Sequence, residues 1–162
     1  MNAFAAAGAG FLLAVLWFDL MFDVQVVWRG RGTAGDLDAG AASGGVLPEA
    51  VLSSIAAYYA RVTTAARPMN RLVAAVMLAT LAALVVELTG GEAPGWVALA
   101  SLVAAVAAIG VAGARTVPGA VRLGTRRDPL ERQSALARAV LRQHVFCFAA
   151  IAIVLVLQLG FA

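Results

Sequence analysis

The sequence predicts an all-α membrane protein, a bundle of four transmembrane helices of which two extend into the cytoplasm. Hydrophobic residues make up 62% of the 162 residues and charged residues only 13%, against about 45–50% and about 25% in soluble domains. Four separate stretches are long and apolar enough to cross a hydrocarbon core of about 30 Å as helices. All basic residues lie in or beside two of the connections between these stretches. The composition excludes a soluble globular domain, and it also excludes a disordered chain, which needs high charge and few apolar residues.

The predicted transmembrane helices form a single integral membrane domain that covers residues 1–162. The apolar stretches cover 3–28, 68–88, 96–114 and 139–161, with longer connections at 29–67 and 115–138. They are rich in Ala and Leu and lack the alternation of strands, and a helix satisfies its own backbone hydrogen bonds in lipid. We expect the first stretch to be retained rather than cleaved as a signal peptide, because no basic residue precedes it and its apolar run is too long.

The arginines predict the orientation of the chain. All 12 basic residues are arginine; five lie between Arg29 and Arg71 and seven between Arg115 and Arg142. The positive-inside rule places both of these regions on the cytoplasmic side, and both termini then face outside. The sequence therefore predicts a multi-pass protein of a bacterial cytoplasmic membrane.

The expected partner is the lipid bilayer, with anionic lipid a candidate at the Arg-rich cytoplasmic loops. Arginine beside a membrane span is expected for topology alone, so nucleic acid is not predicted as a partner. A homo-oligomer and a larger membrane complex both remain open.

Both cytoplasmic connections contain a predicted helix. Residues 30–47 are rich in Gly and indicate a flexible loop, and Pro48 then suits the first position of a helix. An apolar face follows at helical spacing, comprising Val51, Leu52, Ile55, Tyr58, Tyr59 and Val62. This helix is interpreted either as a lid or membrane-surface helix or as an extension packed on its neighbour.

The second connection leads into the last span. Asp128 and Glu131 form a predicted capping box around Pro129, which starts a helix running to Leu159. Because that helix is longer than the bilayer core, its first ten residues should project into the cytoplasm. We expect them to pack against the helix that follows Pro48.

Ionisable residues within the spans are the candidate functional residues, because they are costly in lipid and usually serve a purpose there. Asp19 and Asp23 lie four residues apart and therefore share one helix face. Two carboxylates this close do not both ionise cheaply, so one is neutral or a cation lies between them. Topology brings polar residues of the second and fourth spans to the same inner-leaflet depth. The candidate catalytic residues are Asp19, Asp23 and His144, and the candidate substrate-binding residues include Asn70, Arg71 and Arg142.

Three hypotheses compete for this polar layer. It could be a structural network in which Asp pairs with Arg and Asn to pin helices together. It could be a site open to the cytoplasm for an apolar small molecule, with His144 as acid or base. It could be part of an ion or proton pathway that continues to Glu87 or Gln158, two residues expected to face water at the outer side. A single His and a single Cys favour no metal site and exclude an intramolecular disulfide, and the sequence identifies no cofactor.

Local patterns add a resemblance to a known family. Tyr58-Tyr59-Ala60-Arg61 precedes Arg67-Pro68-Met69-Asn70-Arg71, and a basic helix ending in Arg142-Gln143-His144 leads into the last span. In these patterns and in overall plan the chain resembles small four-helix bacterial membrane proteins of the anthrone-oxygenase-like group. The resemblance adds Tyr59 to the candidate substrate-binding residues. It implies an oxygenase-like membrane enzyme that oxidises an aromatic or polyketide-like substrate at the cytoplasmic face without a cofactor.

Overall fold

The protein is an all-α bundle with four helices long and apolar enough to cross a membrane. The structure, a computed structural model, describes residues 2–28, 45–65, 67–91 and 93–162. The helices are α1 (Asn2–Asp23), α2 (Gln25–Trp28), α3 (Glu49–Ala60), α4 (Arg67–Gly90), α5 (Gly95–Val111), α6 (Val117–Thr125) and α7 (Leu130–Gly160). The predicted fold class is confirmed, although the Gly-rich loop of the first connection lies almost entirely outside the described residues.

The four long helices pack on one another through small side chains. The main core of the bundle consists, among the described residues, of six alanines and five larger residues: Ala5, Ala9, Leu12, Ala83, Leu84, Ala105, Ala108, Cys147, Ala150, Ile151 and Val154. Small residues let helix backbones approach closely, and this packing replaces the hydrophobic effect as the main attraction between helices in lipid. At Gly8 of α1, an added Cβ would clash with the Thr80 hydroxyl of α4, so glycine permits this close approach.

A second core joins the predicted cytoplasmic helices. It consists of Val26, Leu47, Val51, Leu52, Ile55, Tyr59, Ala120, Leu123, Ala137 and Val140. The apolar face predicted for α3 is thus buried against α6 and the first turns of α7. Among the two interpretations of α3, the structure shows the packed extension.

Both prolines that mark helix starts lie one position earlier than predicted. Pro48 and Pro129 precede the first helical residues of α3 and α7 instead of occupying the first helical position. The capping box predicted at Asp128 is wrong, because no side-chain hydrogen bond caps α7. The Asp128 carboxylate accepts two hydrogen bonds from Arg122 instead, at 2.6 and 2.7 Å, and this pairing lowers the pKa of Asp128.

The helical chain that contains the third predicted span continues past residue 114. A π-helical segment, Ala112–Thr116, connects α5 directly to α6. Helix α6 lies in the stretch that the sequence predicted to be a basic connection. Pro118 lies in the first turn of α6, directly after the π-helical segment. A second π-helical segment, Arg61–Ala65, follows α3. Segments of this kind are often found next to functional sites.

Candidate functional site

The candidate site lies where α1, α3 and α7 meet. Asp23 is the last residue of α1, and Asp19 lies one turn earlier on the same face. His144 projects from the middle of α7. Tyr58 and Tyr59 lie in the last turn of α3, so two neighbouring phenols reach the two carboxylates. We call these five residues the Asp–His–Tyr cluster.

Asp23 is the buried anchor of the cluster. Its side chain is only 1% exposed, and one carboxylate oxygen lies 2.6 Å from Nδ1 of His144. The Tyr59 hydroxyl donates to the other oxygen, also at 2.6 Å. Both oxygens of this buried carboxylate therefore have partners, as a charge in an apolar environment requires.

Asp19 forms the more open side of the cluster. Tyr58 donates to its Oδ1 at 2.6 Å, while its Oδ2 lies 3.7 Å from Nε2 of His144. That separation exceeds a hydrogen bond. The Asp19 side chain is 19% exposed and that of His144 7%, so Asp19 is the more accessible of the two, and one polar atom placed beside the pair could hydrogen-bond to both.

The tyrosines serve as hydrogen-bond donors in this arrangement. Burial, reinforced by the neighbouring carboxylates, raises the pKa of Tyr58 and of Tyr59 above the ordinary value. Both phenols therefore keep their protons at neutral pH and stabilise the two carboxylates. Phe22 stacks on Tyr58 with ring centroids 3.9 Å apart, which fixes the orientation of that phenol.

The other three candidate residues lie apart from the cluster. Asn70 donates to the backbone carbonyl of Val62 at 2.7 Å and so supports the π-helical segment that follows α3. Arg71 and Arg142 are exposed, and neither forms an ion pair with Asp19 or Asp23 within the described part of the chain. The described partners of both aspartates are tyrosine and histidine, whereas the structural hypothesis expected arginine.

Sequence reasoning found four of the five residues of the cluster and missed Tyr58 as a member. Tyr58 was assigned only to the apolar face of α3. A signal was present in the sequence, because adjacent tyrosines and paired aspartates one turn apart form two matched donor–acceptor pairs if their helices cross. Recognising it requires knowing that the end of α3 faces the end of α1.

A second polar cluster lies toward the opposite end of the bundle. Glu87 of α4, Ser101 of α5 and Gln158 of α7 are at most 2% exposed. The Gln158 side-chain amide donates to Glu87 and to Ser101, both at 3.2 Å. The prediction that Glu87 and Gln158 face water is therefore wrong, since small neighbours let three helices close around them.

Apolar residues separate the two polar clusters along the buried face of α7. His144 and Gln158 are 14 positions apart, or roughly 21 Å at 1.5 Å per residue. Cys147, Ile151 and Val154 occupy the buried positions between them. A proton pathway from one cluster to the other would need polar groups or water across this interval.

The fold and the Asp–His–Tyr cluster define a class, an all-α multi-pass membrane protein with a buried carboxylate–imidazole site. Comparison with protein families, curated proteins and solved structures finds no match to this chain. Within the described residues, no group of three or more His, Cys, Asp or Glu side chains is arranged to hold a metal ion.

Proposed function

We propose that the Asp–His–Tyr cluster is an acid–base site for a small apolar molecule that enters from the membrane. The observation that carries this proposal is the asymmetry of His144. Its Nδ1 is held by the fully buried Asp23 at 2.6 Å, while its Nε2 faces the accessible Asp19 across 3.7 Å. A carboxylate on one ring nitrogen fixes the orientation of an imidazole and leaves the other nitrogen to exchange a proton.

The surroundings of Asp19 favour an apolar ligand. Trp17, Phe18 and Met21 are each more than half exposed on α1, in a helix apolar enough to lie in lipid. A molecule dissolved in the bilayer would reach Asp19 sideways past these side chains. One hydroxyl, such as that of a phenol, could hydrogen-bond to both Asp19 Oδ2 and His144 Nε2 from beside the pair. The anthrone-oxygenase-like resemblance supports an aromatic substrate and an oxidation without a cofactor.

The proposal places the site in the inner leaflet of a bacterial cytoplasmic membrane, with both termini outside. Its support is the confinement of all arginines to two regions of the sequence. Anionic lipid would then neutralise the exposed arginines at that side.

A direct test uses the only histidine in the chain. NMR of protein labelled at histidine and reconstituted in lipid nanodiscs gives a single side-chain signal, which we expect to shift saturably on titration with membrane-soluble phenols. Asp19→Asn should abolish the shift, whereas Arg132→Gln, which changes an exposed residue outside the cluster, should preserve it. The absence of a shift with every compound would favour the structural hypothesis, in which the cluster only pins α1, α3 and α7 together.

Oxygen uptake tests the oxidation separately. We expect wild-type protein to consume oxygen in the presence of an anthrone-type phenol and the His144→Asn variant to lose this activity by at least about 100-fold, the usual contribution of a general acid or base. Saturable binding without oxygen uptake would retain the acid–base site and discard the oxidation.

A further inference from the structure

A groove on the lipid-facing side of α7 lies apart from the Asp–His–Tyr cluster. It has a volume of about 320 Å³ and lies between α7 and the junction of α5 with its π-helical segment. Its lining residues are Val111, Arg115, Ala139, Arg142, Gln143 and Phe146. His144 is not among them, because it faces the interior of the bundle.

The two ends of the groove differ in polarity. Because α5 and α7 run in opposite directions, Arg115 lies at the level of Arg142, and Val111 lies one turn deeper, near Phe146. Both arginines are exposed, and neither has an acidic partner within the ranges that the structure describes. The groove therefore offers paired positive charge at one end and apolar surface at the other.

Within the described ranges, the wall of the groove also contains an unpaired polar atom of Gln143. Its side-chain carbonyl oxygen Oε1 is buried and accepts no hydrogen bond from any described residue. A buried acceptor without a partner is unfavourable, because it loses its hydrogen bond to water and gains none in return. Gln143 Oε1 in the wall of the groove is thus an acceptor without a donor among the described residues, and rotation of the side chain would be needed to turn it toward a molecule bound there.

We propose that this groove binds one molecule of an anionic phospholipid whose headgroup also carries a hydroxyl donor, as phosphatidylglycerol does. The phosphate would lie between Arg115 and Arg142, and the Gln143 side chain would rotate so that its Oε1, otherwise buried, accepts from a glycerol hydroxyl. The acyl chains would run along Val111 and Phe146. Basic pockets between transmembrane helices select anionic headgroups in this way. The proposal rests on the membrane location of the bundle and is independent of acid–base chemistry at His144.

The test measures lipid retention by native mass spectrometry on the full chain in detergent containing phosphatidylglycerol or phosphatidylcholine. Wild-type protein should retain one phosphatidylglycerol and no phosphatidylcholine. The Arg115→Gln/Arg142→Gln double variant should bind phosphatidylglycerol roughly 10- to 30-fold more weakly, since each arginine near a charged headgroup contributes about 1 kcal/mol. Arg127→Gln/Arg132→Gln removes the same charge at exposed positions outside the groove and should bind like the wild type.

A third variant isolates the hydroxyl contact. Gln143→Leu should weaken binding of phosphatidylglycerol while leaving binding of phosphatidic acid, which lacks the glycerol donor, within about twofold of the wild type. The proposal would be overturned if phosphatidylcholine were retained equally well, or if the two double variants lost binding equally. It would also be overturned if millimolar inorganic phosphate displaced the lipid completely. Circular dichroism verifies that every variant remains helical, and the histidine NMR signal should not change in any of them.

Discussion

Asp19 and Asp23 show how burial gives different roles to identical side chains one helical turn apart. Asp23 is almost completely buried with both carboxylate oxygens in hydrogen bonds, whereas Asp19 is partly exposed and only approaches His144. The first therefore holds the imidazole in place, and the second is available to a ligand. The sequence alone makes the two positions equivalent, because only the end of α1 and the crossing of α3 distinguish them.

This difference predicts unequal losses of stability. Asp23→Asn leaves a single acceptor oxygen where His144 and Tyr59 each face a carboxylate oxygen, and loss of a hydrogen bond to a buried charged group costs about 1.5–3 kcal/mol. Asp19→Asn keeps an oxygen that accepts from Tyr58 and removes only the charge of a partly exposed group, so it should cost about 1 kcal/mol or less. Reversible unfolding of both variants in one detergent provides the comparison. A larger loss in Asp19→Asn would contradict the assignment of Asp23 as the anchor.

The carboxylate of Glu87 is buried with only part of its hydrogen-bonding capacity used. Its Oε2 and the Gln158 Oε1 are buried without hydrogen-bond partners, and no described basic residue pairs with Glu87. Glu87→Gln keeps the shape and adds a donor, so we expect unchanged or higher thermal stability. Glu87→Ala should lower the free energy of unfolding by about 1–3 kcal/mol, because it removes one of the two acceptors of the buried Gln158 amide. If Glu87→Gln were as damaging as Glu87→Ala, the carboxylate would have a specific partner, such as a bound cation.

At the scale of elements, α6 positions the end of α3. An added Cβ at Gly124 would lie 2.9 Å from the backbone nitrogen of Ala60 and 3.3 Å from the carbonyl carbon of Tyr59. Helix α6 thus packs directly on the backbone that presents the two tyrosines to the aspartates. The contacting atoms of Ala60 and Tyr59 belong to the backbone, so no flexible side chain can move aside.

Gly124→Ala should therefore destabilise the protein by about 1–3 kcal/mol through overpacking, and it should also perturb the histidine NMR signal through Tyr59. Gly110→Ala is the matched control, because an added Cβ at Gly110 of α5 meets nothing within 4 Å. That substitution should be neutral or stabilise the helix by up to about 1 kcal/mol. Thermal unfolding of the two variants side by side tests the contact, and equal effects would exclude it.

Sequence patterns predicted the helices better than the contacts between them. Apolar length defined the four spans, and the period of Val51, Leu52 and Ile55 identified the buried face of α3. Helix α6 was missed because its sequence contains Pro118, Gly119 and Gly124, which normally indicate a turn. Tyr58 and the burial of Glu87 were missed because both depend on which helices are neighbours, and a single sequence contains little information about pairing.

At the scale of the whole molecule, the arrangement of the four long helices puts the α4–α5 turn at one end and the α6–α7 turn at the other. The arginines near the second turn predict that it is cytoplasmic, while the first contains no basic residue. Cysteine accessibility can test this orientation, because the only cysteine, Cys147, is buried and Cys147→Ala should give an unreactive background. In that background we introduce Gly95→Cys beside the first turn and Thr125→Cys beside the second, both at exposed positions.

A membrane-impermeant thiol reagent added to intact cells should label Gly95→Cys at once and Thr125→Cys only after the membrane is permeabilised. The physical reason is the cost of moving arginines across the bilayer against the membrane potential, about 2.3 kcal/mol per charge for each 100 mV. Cys147→Ala alone should remain unlabelled under both conditions. The opposite labelling pattern would place the arginines outside, and the Asp–His–Tyr cluster, which lies at the same end as Arg142, would then be reached from the outer leaflet.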